Sequence, residues 1–240
     1  MTDTKSLYGL KPYYKDESVE IWNTDTLSWL PLLADDAYDI ILTDPPYNEV
    51  NRAGAKHRDG SEWYGMDKGE ADSLEVDAHG LGGQFARISK QWVYAFCGWK
   101  QVSDLLRSFE EEGMSIRMGG WHKASPVPVA ASMNWLNTFE TCAIGRHPKA
   151  IFQGFTEDPI WYGEKEHKTV HPTQKPIWLM KKILAASAAE GSGATVFDPF
   201  MGSGSTLEAA KALGLKAVGV EINEEYCERA ANRLSQDTLF

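Results

Sequence analysis

The sequence predicts a doubly wound α/β fold of the Rossmann-like type, in which helices cover both faces of a mainly parallel sheet. Short apolar runs with β-branched residues stop at turn-forming residues, as the buried strands of parallel sheets do. These runs are 39–43, 194–197 and 216–221, and we predict helices at about 102–112 and 177–186. With 240 residues and 42% hydrophobic content, the chain can form the core of a single domain, 1–240.

The first run is followed by Asp44-Pro45-Pro46-Tyr47. The prolines have no backbone N–H and end the strand, so we expect nearby carbonyls to be unpaired and to point outward. A carboxylate and a carbonyl at a strand end form a compact pair of acceptors for an amino group, and Tyr47 offers a ring on which a planar base could stack. A plain turn is the alternative, because Asp-Pro and Pro-Pro pairs often end strands.

The second run leads into a loop with two glycines, Gly202 and Gly204, before a helix that we expect to begin near Ser205. Glycines let the backbone approach a ligand closely, and a helix N-terminus attracts anionic groups. This strand, turn and helix suit a nucleoside cofactor. They also suit a phosphate loop or a dinucleotide site.

The third run ends in an acidic residue, Glu221. An acid roughly 20 residues beyond a glycine loop commonly holds ribose hydroxyls. The alternative is an acid at the start of a helix, ahead of Glu224 and Glu225.

These motifs together resemble the S-adenosylmethionine-dependent amino-group DNA methyltransferases, in the permuted arrangement called the beta class. The matching segments are Asp44-Pro45-Pro46-Tyr47, His171-Pro172-Thr173-Gln174-Lys175-Pro176, Asp198-Pro199-Phe200 to Gly204, and Glu221. The acceptor motif precedes the cofactor loop, and this order identifies the class. The resemblance extends over nearly the whole chain, and places a fifth strand at 92–96, its following helix at 102–112 and a terminal hairpin at 121–123.

The resemblance implies catalysis by Asp44, Pro45, Pro46 and Tyr47 on the exocyclic amino group of an adenine flipped out of duplex DNA. The Asp44 carboxylate and the Pro45 carbonyl would accept the two amino hydrogens while the base stacks on Tyr47. Aspartate rather than serine at position 44 favours adenine over cytosine within the family. No metal is implied.

The resemblance also implies a set of residues that bind S-adenosylmethionine. They are Asp25, Asp44, Thr173, Lys175, Asp198, Phe200, Gly202, Gly204 and Glu221. Phe200 and the glycine turn would pack on the adenosine and methionine portions, Glu221 would hold the ribose, and Asp25 would contact the adenine. Asp198 and Lys175 would bind the amino and carboxylate ends of the methionine. Asp25 could instead cap a helix, and Lys175 could be a solvated lysine.

Two irregular segments flank these motifs. The first, 48–81, is rich in Gly, Asp, Lys and Arg and follows the acceptor motif, so we expect a substrate loop; surface disorder is the alternative. The second, 145–168, lies where the family has its target-recognition region. That region is short, so sequence specificity could also draw on the first segment or on a dimer partner.

The net charge of −10 and the pI near 5.1 are opposite to the usual composition of DNA-binding proteins. Basic residues cluster at 52–58 and 146–149, so one basic cleft on an otherwise acidic protein would reconcile the charge with DNA binding. The alternatives are a weak, strongly salt-dependent affinity for duplex DNA, or a substrate other than duplex DNA. Duplex DNA is the expected partner. The sequence leaves open whether the protein forms a homodimer and whether a cognate restriction enzyme accompanies it.

Other sequence features exclude several classes of protein. Cys97, Cys142 and Cys227 have no paired spacing and are expected to be buried, and Pro172 makes a metal-binding helix at His167 and His171 improbable. The N-terminus does not resemble a signal peptide and no segment is long and apolar enough to span a bilayer, so we expect no membrane association and a cytoplasmic protein of bacterial or phage type.

The sequence leaves four alternative functions open. Cytosine-N4 methylation of DNA and methylation of RNA would use the same motifs. A non-catalytic nucleic-acid-binding protein would keep the fold. A dinucleotide-dependent oxidoreductase would explain the glycine loop but neither Asp44-Pro45-Pro46-Tyr47 nor 171–176.

Overall fold

The computed structural model describes residues 11–47, 76–125, 137–154, 157–164 and 174–236. This part of the chain forms one nine-stranded sheet and six helices. The strands are β1 (Tyr14–Lys15), β2 (Val19–Asn23), β3 (Tyr38–Thr43), β4 (Ser89–Cys97), β5 (Ser115–Lys123), β6 (Phe139–Arg146), β7 (Ile160–Gly163), β8 (Thr195–Asp198) and β9 (Lys216–Glu221). The helices are α1 (Thr26–Trp29, continued by a 3₁₀ turn at Leu30–Leu32), α2 (Ala78–Ile88), α3 (Val102–Glu111), α4 (Ile177–Ser187), α5 (Ser205–Ala212) and α6 (Glu224–Ser235).

The strand order across the sheet is β1-β2-β9-β8-β3-β4-β6-β5-β7. The five central strands, β2, β9, β8, β3 and β4, are parallel to one another, and β6 runs antiparallel between β4 and β5. The predicted doubly wound α/β fold is therefore confirmed. The predicted strand at 92–96 lies within β4, and 121–123 form the end of a hairpin strand, β5.

Helices cover both faces of the sheet because successive strand residues point to opposite sides. In β3, Ile40 and Leu42 belong to one core cluster, which α4, α5 and α6 complete, whereas Ile41 belongs to a second cluster completed by α1, α2 and α3. All three side chains are fully buried. The continuous apolar run that predicted β3 is thus the consequence of having a core on each side.

The acceptor motif and the glycine loop emerge beside each other. β3 pairs in parallel with β8, with Ile40 opposite Val196 and Ile41 opposite Phe197. From β3 the chain proceeds in one direction across the sheet to β4, and from β8 it proceeds in the other direction to β9. Ligands bind at such a switch point, at the end of the sheet where the parallel strands finish. We call this the carboxyl end of the sheet and the opposite one the amino end.

The structure corrects the limits of the two irregular segments. Residues 48–75 lie outside the described part, but Ala78 begins α2, so the predicted substrate loop 48–81 is wrong for its last residues. Burial of Ala78, Leu81 and Phe85 on one helix face accounts for this. The predicted recognition region 145–168 likewise contains a strand, β7, which extends the sheet beyond β5.

The cysteines, possible metal ligands and helix lengths of the described residues bear on the classes of protein that the sequence disfavours. Cys97, Cys142 and Cys227 are buried and free, as predicted, and burial raises the pKa of the Cys97 thiol to about 11. Within the described ranges, no three or more His, Cys, Asp or Glu side chains gather as metal ligands, while His167 and His171 lie outside those ranges. Of the helices described, none has the length and apolar character to cross a bilayer.

Candidate active site

The acceptor motif leaves β3 at the carboxyl end of the sheet. Pro45 and Pro46 are buried, and the Tyr47 hydroxyl donates to Asp44 Oδ1 at 2.7 Å. The Pro46 carbonyl accepts a 2.9 Å hydrogen bond from Gln101 Nε2, so the expectation of unpaired carbonyls is wrong at this position. Gln101 can reach the Pro46 carbonyl because it is buried in the turn that follows β4, the strand that pairs with β3. The role of the Pro45 carbonyl as an acceptor stays a prediction.

Lys175 lies against the acceptor motif. Its ammonium forms an ion pair with Asp44 Oδ2, and it lies 3.0 Å from the Tyr47 hydroxyl. The Lys175 side chain is 6% exposed, so the alternative of a solvated lysine is wrong. Its predicted contact with the methionine carboxylate stays a prediction.

A second carboxylate, Glu140 at the start of β6, contacts the same ammonium. Glu140 Oε2 lies 3.0 Å from Lys175 Nζ, and Glu140 Oε1 lies 2.5 Å from Lys123 Nζ at the end of β5. Burial raises the pKa of the Glu140 carboxyl, but the charges of Lys175 and Lys123 outweigh burial and lower it to about 2. Burial lowers the pKa of Lys175, and Asp44 and Glu140 overcome this effect and raise it.

Neither Glu140 nor Lys123 was identified from the sequence as a site residue. Glu140 belongs to no recognisable motif, and it reaches Lys175 only because β6 starts at the end of the sheet where β3 finishes. The one available signal was an acidic residue next to the apolar stretch of β6, Phe139–Arg146.

The glycine loop connects β8 to α5. The Asp198 carboxylate accepts the Phe200 amide at 3.1 Å, Gly202 has φ 51°, and Gly204, the N-cap of α5, has φ 84°. Left-handed φ values favour glycine at both positions. A Cβ at Gly202 would meet no heavy atom within 4 Å, whereas one at Gly204 would lie 3.1 Å from the Ala230 Cβ. The turn therefore packs on α6 at Gly204 and leaves space beside Gly202.

Glu221 connects this turn to the end of β9. Its carboxylate accepts the Gly202 amide at 3.1 Å and the Asn223 amide at 2.8 Å. Asn223 is the N-cap of α6, so the interpretation of Glu221 as an acid at a helix start describes an existing contact, while its contact with ribose hydroxyls stays a prediction. Burial raises the pKa of Glu221 despite these amides.

Asp198 is the most deeply buried acid of the site, with 3% of its surface exposed. Burial raises its pKa to about 7, against the opposing effect of hydrogen bonds that include the Phe200 amide, and the nearby Asp44 charge raises it further. Asp198 can therefore change its charge near neutral pH.

Residues 174–176 join the two loops. The Gln174 amide lies 3.1 Å from the Ser203 hydroxyl in the glycine loop, while the next residue, Lys175, contacts Asp44. Pro176 then serves as the N-cap position of α4. The remainder of this motif, His171 to Thr173, falls outside the described residues, so the predicted cofactor contact of Thr173 remains a prediction.

Asp25 caps α1, as one interpretation predicted. Its carboxylate accepts the Leu27 amide at 3.0 Å and the Ser28 hydroxyl at 2.6 Å. The neighbouring Thr26 hydroxyl donates to the Pro199 carbonyl, which fastens the start of α1 to the glycine loop. Asp25 is thereby close to the loop, and its contact with an adenine stays a prediction.

Exposed aromatic and basic side chains surround the carboxyl end of the sheet. Trp99 and Lys100 follow β4, and Trp99 is 72% exposed. Tyr162 on β7 is 68% exposed and packs against the His122 ring at 5.1 Å. By contrast, the predicted basic cluster at 146–149 lies at the amino end, because Arg146 pairs with Trp92 near the start of β4. It cannot line the same cleft as Asp44; the other cluster, 52–58, lies outside the described residues.

Comparison with known proteins gave one family and several relatives. A family model described as DNA methylase (N6_N4_Mtase) matches residues 87–233. The type II methyltransferase M2.DpnII of Streptococcus pneumoniae is 28% identical, over 95% of this chain and 93% of its own length. The type II methyltransferase M2.LlaDCHI of Lactococcus lactis subsp. cremoris is 27% identical, over 96% of this chain and 94% of its own length.

Solved structures show the same fold. The crystal structure of the M1.HpyAVI–SAM complex matches with a TM-score of 0.66 and 23% identity, covering 90% of this chain and 99% of that one. The PvuII DNA methyltransferase, described as cytosine-N4-specific, matches with a TM-score of 0.72 and 14% identity, covering 97% and 92%.

Proposed function

The chain belongs to the DNA methylase family, and from this premise we propose that it transfers a methyl group from S-adenosylmethionine to the exocyclic amino group of an adenine in duplex DNA. One observation carries the proposal: Asp44-Pro45-Pro46-Tyr47 and the glycine loop leave adjacent parallel strands, β3 and β8, at one end of the sheet. A methyl acceptor held by the first motif and a methyl donor held by the second would therefore meet.

The residues around the glycine loop fit the proposed cofactor. The space beside Gly202 leaves room for a ligand against the backbone, and the Glu221 carboxylate lies directly under this turn. Each carboxylate oxygen has two lone pairs, so Glu221 can accept ribose hydroxyls while it keeps the Gly202 and Asn223 amides. Asp198, ionised, would pair with the methionine ammonium, and Phe200 would contact the adenosine.

The acceptor motif supplies position and electrostatics. S-adenosylmethionine supplies a methyl group that its sulfonium has already activated. The amino nitrogen of adenine is a weak nucleophile, because its lone pair is delocalised into the ring. Asp44 and the Pro45 carbonyl would accept its two hydrogens and draw the nitrogen towards a tetrahedral geometry, which frees the lone pair for in-line attack. After transfer, the product ammonium is acidic enough to lose its proton to water.

Entry of the base requires exchanges within the motif. Tyr47 and Lys175 both bond to the Asp44 carboxylate, and the ring of Tyr47 is the surface on which the base would stack. The incoming amino group would take over the Asp44 oxygen that Tyr47 now occupies. Because a paired base cannot reach this position, the target must be flipped out of the duplex.

Adenine is the proposed target because position 44 is Asp and not Ser, which is the preference that the family resemblance implies. Cytosine is the second candidate, favoured by the fold match with the PvuII enzyme that is described as cytosine-N4-specific. An aspartate could accept hydrogens from either amino group, so only product analysis separates them.

The duplex would approach the carboxyl end of the sheet. Trp99 and Lys100 lie there, on a turn fastened to the acceptor motif, since Gln101 bonds both the Pro46 carbonyl and the Gly98 amide. An exposed indole can stack on bases and a lysine can neutralise a phosphate. This basic and aromatic turn would give local affinity for DNA to a protein of net charge −10.

The partners are also inferred. The curated relatives are called type II methyltransferases, a name that supports a place for this chain in a restriction–modification system with a cognate restriction enzyme. We also propose that the protein forms a homodimer. Its target-recognition region is short, and the recognition region of a second copy would add contacts to the DNA.

The deciding experiment uses methyl-labelled S-adenosylmethionine and mixed-sequence duplex DNA, followed by nucleoside digestion and mass spectrometry. We expect N6-methyladenine. Labelled N4-methylcytosine would keep the mechanism and change the target. Cofactor binding without label on DNA would refute the proposal, and parallel reactions with RNA would then test the RNA alternative.

A further inference from the structure

Four charged side chains form a linked cluster behind the acceptor motif. In order they are Lys123, Glu140, Lys175 and Asp44, each in an ion pair with the next. The side chains of Lys123, Glu140 and Lys175 are 14%, 16% and 6% exposed. Two positive and two negative charges balance, and the cluster ends at the carboxylate that would hold the target amino group.

Lys175 is the central member of this cluster. Its ammonium donates hydrogen bonds to Asp44 Oδ2 and, at 3.0 Å, to the Tyr47 hydroxyl, and it forms an ion pair with Glu140 Oε2 at 3.0 Å. Two of these oxygens belong to the acceptor motif that the target base must enter. The third belongs to Glu140, which lies outside that motif. Among the described residues, Glu140 is therefore the partner that can hold the ammonium unchanged while the base exchanges with Tyr47.

We infer that Glu140 is a positioning residue for methyl transfer, acting through Lys175 on Asp44. Its carboxylate fixes the Lys175 ammonium beside Asp44, so that Asp44 keeps its orientation when the target amino group replaces the Tyr47 hydroxyl. Lys123 neutralises the second oxygen of Glu140. The inference rests on the proposed function and identifies a residue on β6 that assists the acceptor motif on β3.

The cluster is poorly explained as a device for stability alone. Taking charges out of water is costly, and replacing a buried ion pair with apolar residues of similar volume is often neutral or stabilising. Removing a single partner is a different matter, since an unpaired charge remains buried. Without Glu140, Asp44 would be the one carboxylate among the described residues paired with Lys175, and the ammonium would compete more strongly with the incoming amino group for the Asp44 oxygens.

The test is the variant Glu140→Gln, which keeps the side-chain size and removes the charge. We expect the single-turnover rate of DNA methylation to fall at least about tenfold, while the calorimetric affinity for S-adenosylhomocysteine stays within about twofold of the parent protein. The matched control is Asp35→Asn, which removes an exposed carboxylate paired with Arg87 at 2.6 Å. That variant should retain the parent rate.

A double-variant comparison separates positioning from structural support. If Glu140 acts through Lys175, adding Glu140→Gln to Lys175→Met should cost little further rate, because the ammonium that Glu140 holds is already absent. Additive losses in the double variant, or a parent-like rate for Glu140→Gln, would overturn the inference. If Glu140→Gln does not fold, the double variant, which lacks one negative and one positive charge, is compared with Lys175→Met alone. A further loss of rate in the double variant would then overturn the inference.

Failure of the proposed function would look different. An unmodified protein that binds the cofactor but methylates no DNA would refute the methyltransferase proposal and this inference with it. An active unmodified protein with an equally active Glu140→Gln variant would refute only the role of Glu140.

Discussion

The Tyr47 hydroxyl donates a 2.7 Å hydrogen bond to Asp44 Oδ1, three residues earlier in the chain. The ring proposed to stack on the target base is thus bonded to the carboxylate proposed to accept its amino hydrogens. Burial raises the pKa of Tyr47 well above its ordinary value, and the Asp44 charge adds to this effect, so the hydroxyl remains a donor. The proposed function therefore requires one donor at Asp44, the phenol, to be exchanged for another, the amino group.

Replacing Asp44 should abolish turnover and preserve cofactor binding. In Asp44→Ala no charged acceptor remains for the amino hydrogens, and losing one electrostatic contact of this kind costs about 10²–10³ in rate. The single-turnover rate should fall by at least that factor, while calorimetry with S-adenosylhomocysteine should give a dissociation constant within about threefold of the parent. Tyr47→Phe is the control, since it keeps the ring and removes only the hydroxyl, and we expect it to lose much less rate. A normal rate for Asp44→Ala would show that Asp44 is not the acceptor.

Replacing Glu221 should weaken cofactor binding. Hydrogen bonds to a charged group contribute about 1.5–3 kcal/mol each, so Glu221→Ala should raise the dissociation constant of S-adenosylhomocysteine about 10- to 100-fold or more. The control is Glu224→Ala, which removes an exposed acid from the first turn of α6 and should change nothing. Unchanged affinity for Glu221→Ala would remove Glu221 from the ribose role.

The elements that carry the motifs could be predicted because their signals are local. The apolar run at 216–221 is β9, and the run at 39–43 differs from β3 only by the added Tyr38. Alternation of the side chains between two cores leaves a continuous apolar pattern, which a sequence displays directly.

The contacts of Lys175 could not be predicted, because they depend on pairing between distant strands. Glu140 reaches it through the antiparallel pairing of β6 with β4, and Lys123 reaches Glu140 through the pairing of β5 with β6. No local pattern encodes such a register. The basic cluster at 146–149 was misplaced for the same reason, since the direction of β6 carries Arg146 to the amino end.

Cofactor affinity should increase with pH across neutrality. The Asp198 pKa, raised by burial to about 7, means that this acid is mostly protonated at pH 6 and ionised at pH 8. An ionised Asp198 would attract the methionine ammonium, whereas at pH 6 it must first release its proton, which costs up to about tenfold in affinity per pH unit below its pKa. Calorimetry with S-adenosylhomocysteine should therefore show tighter binding at pH 8 than at pH 6, and proton release at pH 6. In Asp198→Asn the difference in affinity between pH 6 and pH 8 and the proton release at pH 6 should both disappear. Equal affinity of the unmodified protein at both pH values would contradict the assignment of Asp198 to the ammonium.

The exposed indole of Trp99 should contribute to the binding of duplex DNA. Trp99 is 72% exposed at the carboxyl end of the sheet, beside the acceptor motif, whereas Ile151 is 60% exposed near the start of β4 at the amino end. Stacking of a base on an aromatic side chain contributes about 1–3 kcal/mol, so Trp99→Ala should weaken duplex binding by roughly 5- to 150-fold and leave cofactor affinity unchanged.

Trp99→Phe should recover part of the loss, because it restores an aromatic face. Ile151→Ala, an apolar truncation of similar exposure, should bind DNA as the parent does, because the structure places this part of segment 145–168 at the amino end, away from the acceptor motif. Fluorescence anisotropy with a labelled duplex measures all four proteins. Equal affinities for Trp99→Ala and Ile151→Ala would mean that the DNA does not contact this turn.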